Sequence, residues 1–210
     1  MPRKQPETDP MHPNSAFRQT ETSDALSIAG ARAFGTLAVN ADPVPHTAHI
    51  PFLLSEDGRI ADLHLVRSNP ICKLTGPAVL TVTGPDAYIS PDWYGIEDQV
   101  PTWNYIAVRL TGRLEALPPE ILRDMLARQS AFFESRLAPK PAWTMEKMSE
   151  DTMQRFLRMI LPFRLHIEDV QSTIKLGQNK PDDVRRAAAS EVESGFGSDL
   201  SRLAHMMRDT

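Results

Sequence analysis

The turn around Arg67 carries the plainest chemical capacity in the chain. HLVRSNP over His64–Pro70 sets a guanidinium and an amide two positions apart, and the spacing predicts a short helix over Asn69–Leu74. A guanidinium offers two parallel charge-assisted hydrogen bonds in a fixed fork, which suits an oxyanion such as phosphate. Asn69 adds neutral donors, and a backbone N–H at the helix start would point at the same anion. Lys73, one helical turn on, either neutralises that anion or snorkels to water. The plainer alternative for Arg67 is an ordinary surface ion pair, worth little.

A second feature is aromatic. GPDAYISPDWYGIEDQVPTWNYIAVRLTG, from Gly84 to Gly112, holds all three tyrosines and two of the three tryptophans. Broken by Pro85, Pro91 and Pro101, it reads as two short strands joined by a rigid, aromatic-walled connection. Such a surface receives a flat ligand or a partner subunit. The alternative is that the rings fill a β-sheet core. No nucleophile elbow, phosphate-binding glycine loop, dinucleotide fingerprint or cysteine with a nearby histidine is present, so no catalytic residue is assigned. If there is catalysis, a cofactor carries it and the protein tunes access.

The strings themselves narrow this. YISPDWY at Tyr88–Tyr94 and VPTWNYIAV at Val100–Val108 resemble the PaiB-type FMN-binding negative transcriptional regulators. FGTLAV at Phe34–Val39, PHTAHIPFLL at Pro45–Leu54, HLVRSNP, and KLGQNKP at Lys175–Pro181 extend the likeness in order from about Met11 to about Pro181. The chain departs from the family pattern at Asp92 and at Gly177, where a small hydroxyl residue is usual. The resemblance implies an antiparallel FMN-binding split barrel of the pyridoxamine-phosphate-oxidase-like kind, generally a homodimer with flavin at the subunit interface.

On that reading Arg67 and Asn69, with Lys73, are expected at the FMN phosphate. The strand matching Pro45–Leu54 would lie along the isoalloxazine, which makes Thr47, His49 and Ile50 candidates for its edge. His64 is a candidate contact to the ribityl chain or phosphate. Trp103 and Asn104 would arrive from the facing subunit, although Trp103 serves equally as the apolar anchor of a dimer interface. Lys175 and Gln178 are weaker candidates for flavin or substrate contact, and Asn179 is explained by helix capping. His46, His49 and His64 lie near one another in the chain, but with only Asp62 and a turn supplying carboxylates no metal site is expected.

These residues need elements to position them. Thr22 or Ser23 can cap a helix to about Arg32. Strands are predicted at Phe34–Val39, His46–Leu54 and about Arg59–Val66, with Ala41-Asp42-Pro43 and Ser55-Glu56-Asp57-Gly58 as turns. A β-rich stretch at Ala78–Thr83 is expected to break at Gly84-Pro85 and resume over Ala87–Ser90. A long strand follows over Trp103–Leu117. Pro118-Pro119 opens a helix with an apolar stripe through Ile121, Leu122, Met125, Leu126, Phe132 and Phe133, which Gln129 interrupts. A helix capped by Ser149 carries Met153, Phe156, Leu157 and Ile160 before Pro162 stops it, and Phe163, Leu165 and Ile167 alternate as a strand. Helices at Pro181–Val192 and Ser198–Met207 close the chain. The fold class is therefore mainly β with peripheral helices. Expected divisions are a disordered extension over 1–10, the split-barrel domain over 11–180 with inserted helices at about 118–160, and a helical tail over 181–210.

Composition sets limits. The chain has 210 residues, 41% of them hydrophobic and 24% charged, ordinary values for one globular core. No apolar run approaches a membrane span. The first residues lack the apolar core of a signal peptide, and Cys72 is the single cysteine, so a reducing cytoplasm is expected. Cys72 reads as a packing residue. The net charge is −4, with acids and bases interspersed. DNA binding draws on a basic surface, so direct DNA contact has weak support from charge. The main expectation is an FMN-binding regulator. The alternative is a flavin-dependent oxidoreductase acting on a small molecule with NAD(P)H.

Overall fold

Residues 9–210 are described by the computed structural model of the chain. Seven strands form one sheet: β1 (Phe34–Val39), β2 (His46–Leu54), β3 (Ile60–Val66), β4 (Gly76–Ile89), β5 (Thr102–Ala116), β6 (Ile160–Lys175) and β7 (Gly197–Ser198). Their order is β1-β2-β3-β6-β5-β4-β7, and β1 also pairs with β4. That extra pairing joins the two ends of the six long strands, so they close into an antiparallel barrel with β7 added beside β4. The helices α1 (Thr22–Arg32), α2 (Leu122–Glu134), α3 (Glu150–Leu157), α4 (Asp182–Val192) and α5 (Leu200–Asp209) are peripheral. The expected mainly β split-barrel fold is borne out.

The described chain forms two compact units. One comprises Ala29–Val82 and Leu110–Val170. Here β1 and β2 pair from Phe34↔Pro51 to Val39↔His46, β2 pairs with β3, and β3 with β6 from Ile60↔His166 to Val66↔Ile160. Alternation along each strand sends Leu37, Phe52, Leu63, Leu80, Leu110, Phe163 and Leu165 inward, each within 1% of complete burial. The β1–β4 seam is tight: a Cβ on Gly35 would lie 2.6 Å from the Thr81 carbonyl oxygen. Only a residue without a side chain allows that approach.

The polar centre of this unit is Asp62, 5% exposed. Its carboxylate accepts from Arg164 at 2.7 and 3.1 Å and from Arg128 at 3.2 Å. Gln129, the apparent flaw in the α2 stripe, is 4% exposed because it bonds two groups. Its amide donates to the Asp62 carbonyl at 3.2 Å, and its oxygen faces His64 Nδ1 at 3.0 Å.

The other unit comprises residues up to Ile28, Thr83–Arg109 and Gln171–Thr210. Its core packs Ala87, Ile89, Tyr94, Leu176, Val192, Leu203 and Met207, with α4 against α5. Arg185, 2% exposed, ties this helical pair together by donating to the Met207 carbonyl at 2.9 Å. The expected disordered extension over 1–10 falls, for residues 1–8, outside the described residues; Asp9 accepts from Arg109 at 2.8 Å through its carbonyl.

Three expectations are corrected. β4 runs unbroken through Gly84-Pro85, because a Cβ on Gly84 would meet Ile106 of β5 at 3.1 Å and the neighbouring strand carries β4 past the dipeptide. Pro162 does not end a helix. α3 stops at Leu157 and Pro162 is the third residue of β6, opposite His64, with its carbonyl accepting from Leu117 N–H at 3.0 Å. Asn179 caps nothing: α4 begins at Asp182 with Pro181 before it.

Candidate functional site

Arg67, Asn69 and Lys73 lie in one tight turn. β3 ends at Val66 and the chain enters a 3₁₀ turn, Pro70–Lys73, that packs against β2. Asn69 shapes this turn, since its side-chain oxygen accepts from Ile71 N–H at 3.0 Å and its carbonyl accepts from Cys72 N–H at 3.0 Å. The backbone donors expected to face an anion are therefore spent inside the turn, and Pro70 has none. What Asn69 retains is its amide N–H₂.

Arg67 is fixed from behind. Its backbone N–H donates to the Met159 carbonyl at 2.8 Å, and Nε donates to the Arg158 carbonyl at 2.8 Å. The bond through Nε orients the guanidinium plane and leaves both terminal nitrogens for another partner. No carboxylate pairs with Arg67 among the described residues. The surface ion pair considered above is thus not made. Beside it, burial pushes the Cys72 thiol up, against the pull of the Arg67 charge, and its Sγ approaches the Val66 carbonyl at 3.4 Å. That supports packing rather than reactivity.

Thr47 and His49 project outward from β2, both exposed. Across the β1–β2 pair, Thr36 Oγ1 and His49 Nδ1 are 2.9 Å apart, and the His49 ring stacks on Phe34 at 6.5 Å. Phe34 is itself 43% exposed, an aromatic left uncovered at the strand end. Ile50, one residue on, points the other way and is 2% exposed, so only its main chain could meet a ligand. His64 is also redirected. It packs beneath α2, with Nδ1 donating to Gln129, and burial pushes its pKa down. Its Nδ1 is therefore used within the fold.

Apolar side chains are exposed close to Arg67: Val66, the preceding residue, at 55%, and Met159, whose carbonyl accepts from the Arg67 N–H, at 52%; Phe156, whose carbonyl accepts from Met159 N–H, is 47% exposed. Large apolar groups gathered beside a charged fork mark a surface meant to be covered.

In the other unit, alternation along β5 turns Trp103 outward and Asn104 inward. Trp103 meets Phe196 edge-on at 5.9 Å, both exposed. Asn104 is 1% exposed and faces Met207 Sδ at 3.5 Å. Lys175 donates to Thr102 Oγ1, and burial pushes its ammonium down. Gln178 is a lock for the chain, accepting from Leu176 N–H at 2.8 Å and donating to the Ile174 carbonyl at 2.5 Å. Asn104 and Lys175, with Thr102 and Lys180, line a cavity of about 190 Å³. Thr102 and Lys180 were not singled out from sequence, although Lys180 stands inside the KLGQNKP string.

The donor set of the Arg67 turn fits the phosphate of FMN: a rigid unpaired fork, a free amide and a nearby ammonium at Lys73. The exposed Thr47–His49 face and the apolar patch fit a flat ring that is apolar on its faces and polar at its edge. Among the described residues no helix is long and apolar enough to cross a membrane, and no cluster of three metal-ligating side chains occurs.

Comparison with known proteins agrees. Residues 11–169 match the family described as "Putative FMN-binding domain". Protease synthase and sporulation protein PAI 2 of Bacillus subtilis is 26% identical over 198 residues, covering 92% of this chain and 94% of that protein. Among solved structures, an FAD and heme binding protein of Mycobacterium smegmatis is similar with a TM-score of 0.56 and 19% identity, covering 87% of this chain and 82% of that one. The flavocytochrome Anf3 of Azotobacter vinelandii follows with a TM-score of 0.53 and 16% identity over 77% of this chain and 71% of its own. At these identities the two structures speak to the fold alone. With the family match spanning most of the chain, this is a member of the PaiB-type FMN-binding family, built on a flavin-binding split barrel.

Proposed function

We propose that the protein holds FMN by its phosphate at Arg67, Asn69 and Lys73, as a homodimer that covers the flavin ring, and acts as a negative transcriptional regulator of the PaiB type. The observation that carries the first part is Arg67. It is anchored through Nε to a main-chain carbonyl, has no carboxylate partner among the described residues, and is next to the exposed Val66 and bonded through its N–H to the exposed Met159. Thr47 and His49 would meet the polar edge of the ring.

FMN, when bound, supplies reversible electron transfer at its isoalloxazine. The chain's own contribution is to bind the anion, orient the ring along β2 and exclude water with a second subunit. The exposed Val66, Phe156 and Met159 support that second subunit, since a lone protomer leaves them wet. Trp103, with Phe196, is a further apolar anchor for a subunit contact. The regulatory role rests on the family resemblance. A net charge of −4 argues against a phosphate-tracking grip on DNA, so flavin occupancy would act on DNA through the dimer surface or through a partner.

The test is an absorbance spectrum of the purified protein together with its mass by light scattering. A flavin band in a particle of twice the chain mass supports the reading. A monomer that takes up no FMN refutes it. Bleaching of the band by NAD(P)H would favour the oxidoreductase, whereas a salt-sensitive, sequence-selective shift of promoter DNA would favour the regulator.

A further inference from the structure

The outer face of β1 and β2 holds the His49 ring both by its edge and by its face. Thr36 is the direct cross-strand partner of His49, and its Oγ1 lies 2.9 Å from Nδ1. Phe34 stacks on the imidazole at 6.5 Å, with the rings 25° apart. The Arg32 guanidinium lies over Phe34 in turn, 5.9 Å from the ring centroid. Between them Ala33 takes the left-handed conformation, φ 50°, which is uncommon for a residue with a side chain. Its N–H donates to the Ala29 carbonyl at 2.8 Å and its carbonyl accepts from Phe52 N–H at 3.0 Å. The turn from α1 into β1 is thereby fixed, and Phe34 with it. All of these residues belong to one compact unit.

The bond at Nδ1 leaves Nε2 over. No carboxylate pairs with His49 among the described residues, and Nε2 has no partner among them. A neutral imidazole carries one donor and one acceptor nitrogen, so the bond made by one sets the role of the other. Thr36 is half-buried, and its hydroxyl proton has no other acceptor among the described residues. Donation from Thr36 to Nδ1 puts the ring proton on Nε2 and makes that nitrogen a donor. A cross-strand pair on a wet face adds little to the fold. A fixed donor backed by an aromatic ring is what recognition of a flat, acceptor-edged ligand requires.

On the reading that FMN lies along β2, we propose that Thr36 is a positioning residue for the flavin ring: its hydroxyl holds His49 as the Nε2–H tautomer, which donates to an acceptor on the isoalloxazine edge. Phe34 backs the imidazole and keeps it from turning. Arg67 recognises the phosphate, whereas Thr36 acts on the ring through His49. Only the second contact is indifferent to whether a phosphate is present, and this separates the two by experiment.

Two measurements on the full-length protein test the assignment. In FMN-free protein isotope-labelled at the histidine ring nitrogens, the His49 resonances, identified by their loss in His49→Leu, report the tautomer at about pH 8, where free imidazole is neutral. The Nε2–H form is expected in wild type and Thr36→Ser, and a mixture of both forms in Thr36→Val. Quenching of flavin fluorescence then gives the affinities for FMN and for riboflavin, which lacks the phosphate. His49→Leu should weaken both about five- to tenfold and Thr36→Val both about three- to fivefold, with Thr36→Ser within about twofold of wild type. Arg67→Ala should weaken FMN alone. The proposal falls, with the flavin reading intact, if FMN binding depends on Arg67 while Thr36→Val leaves the tautomer or both affinities unchanged. It falls equally if His49→Leu weakens FMN but not riboflavin, or if riboflavin is not bound at all. Wild-type protein that takes up no FMN overturns both readings together.

Discussion

Replacing Arg67 by alanine isolates the step on which flavin retention depends. The side chain makes one internal bond, from Nε to the Arg158 carbonyl, and the residue is exposed. Its loss should therefore cost the fold only about 1 kcal/mol. The two terminal nitrogens are what a phosphate would use. Hydrogen bonds to a charged group contribute about 1.5–3 kcal/mol each, but an exposed site is screened by water and salt. A combined loss of about 2–3 kcal/mol is the reasonable figure, which is a rise of about 30- to 140-fold in the FMN dissociation constant. Arg67→Lys keeps the charge and loses the fork, so a rise of about five- to tenfold is expected. Quenching of flavin fluorescence on titrating FMN into apoprotein measures all three, and urea unfolding checks that the variants remain folded. A folded Arg67→Ala protein whose FMN affinity stays within about threefold of the wild type would show that phosphate is held elsewhere.

Other consequences concern the scaffold. Gly35→Ala drives a Cβ to 2.6 Å from the Thr81 carbonyl oxygen at the seam that closes the barrel, and should destabilise by about 3 kcal/mol or more, seen as a fall in the urea midpoint; a loss below about 1 kcal/mol would mean the seam yields easily. Gln129→Leu leaves the Asp62 carbonyl and His64 Nδ1–H without partners, for an expected loss of about 2–4 kcal/mol by the same assay. Burial holds His64 below its ordinary value of 6.5, so the unfolded chain takes up the proton first. Its contribution is present above that value and is lost as the pH falls toward and through the lower folded one. Wild-type protein should therefore lose more stability between about pH 7.5 and 5 than His64→Gln does, and equal losses would contradict the buried neutral imidazole.

Much of this was legible in the chain. The strands through Phe34–Val39 and His46–Leu54 follow from alternation and turn residues, which act locally. The strings around Tyr88–Tyr94, Val100–Val108 and Lys175–Pro181 carry the family, because their residue types are tied to fixed places in it. The Arg67 turn could be named as a candidate anion grip, because a guanidinium and an amide stand two positions apart in a string that resembles the family, with a surface ion pair as the alternative.

The rest depended on neighbours distant in sequence. Gly84-Pro85 and Pro162 read as breaks because a local rule sees only the missing N–H or the missing side chain; adjacent strands carried both through. Gln129 looked like a flaw until Asp62 and His64, more than sixty positions away, proved to need its amide. His64 and Ile50 looked available because periodicity gives a strand two faces without saying which is covered. Which face is covered is fixed by packing, and packing turned Ile50 into the core and His64 under a helix. The residue types thus determined that a phosphate grip and a barrel could form. Only the tertiary structure decided which polar groups were spent on the fold and which, as at Arg67, were left with capacity for something else, because hydrogen-bond satisfaction is a property of three-dimensional neighbours and not of sequence spacing.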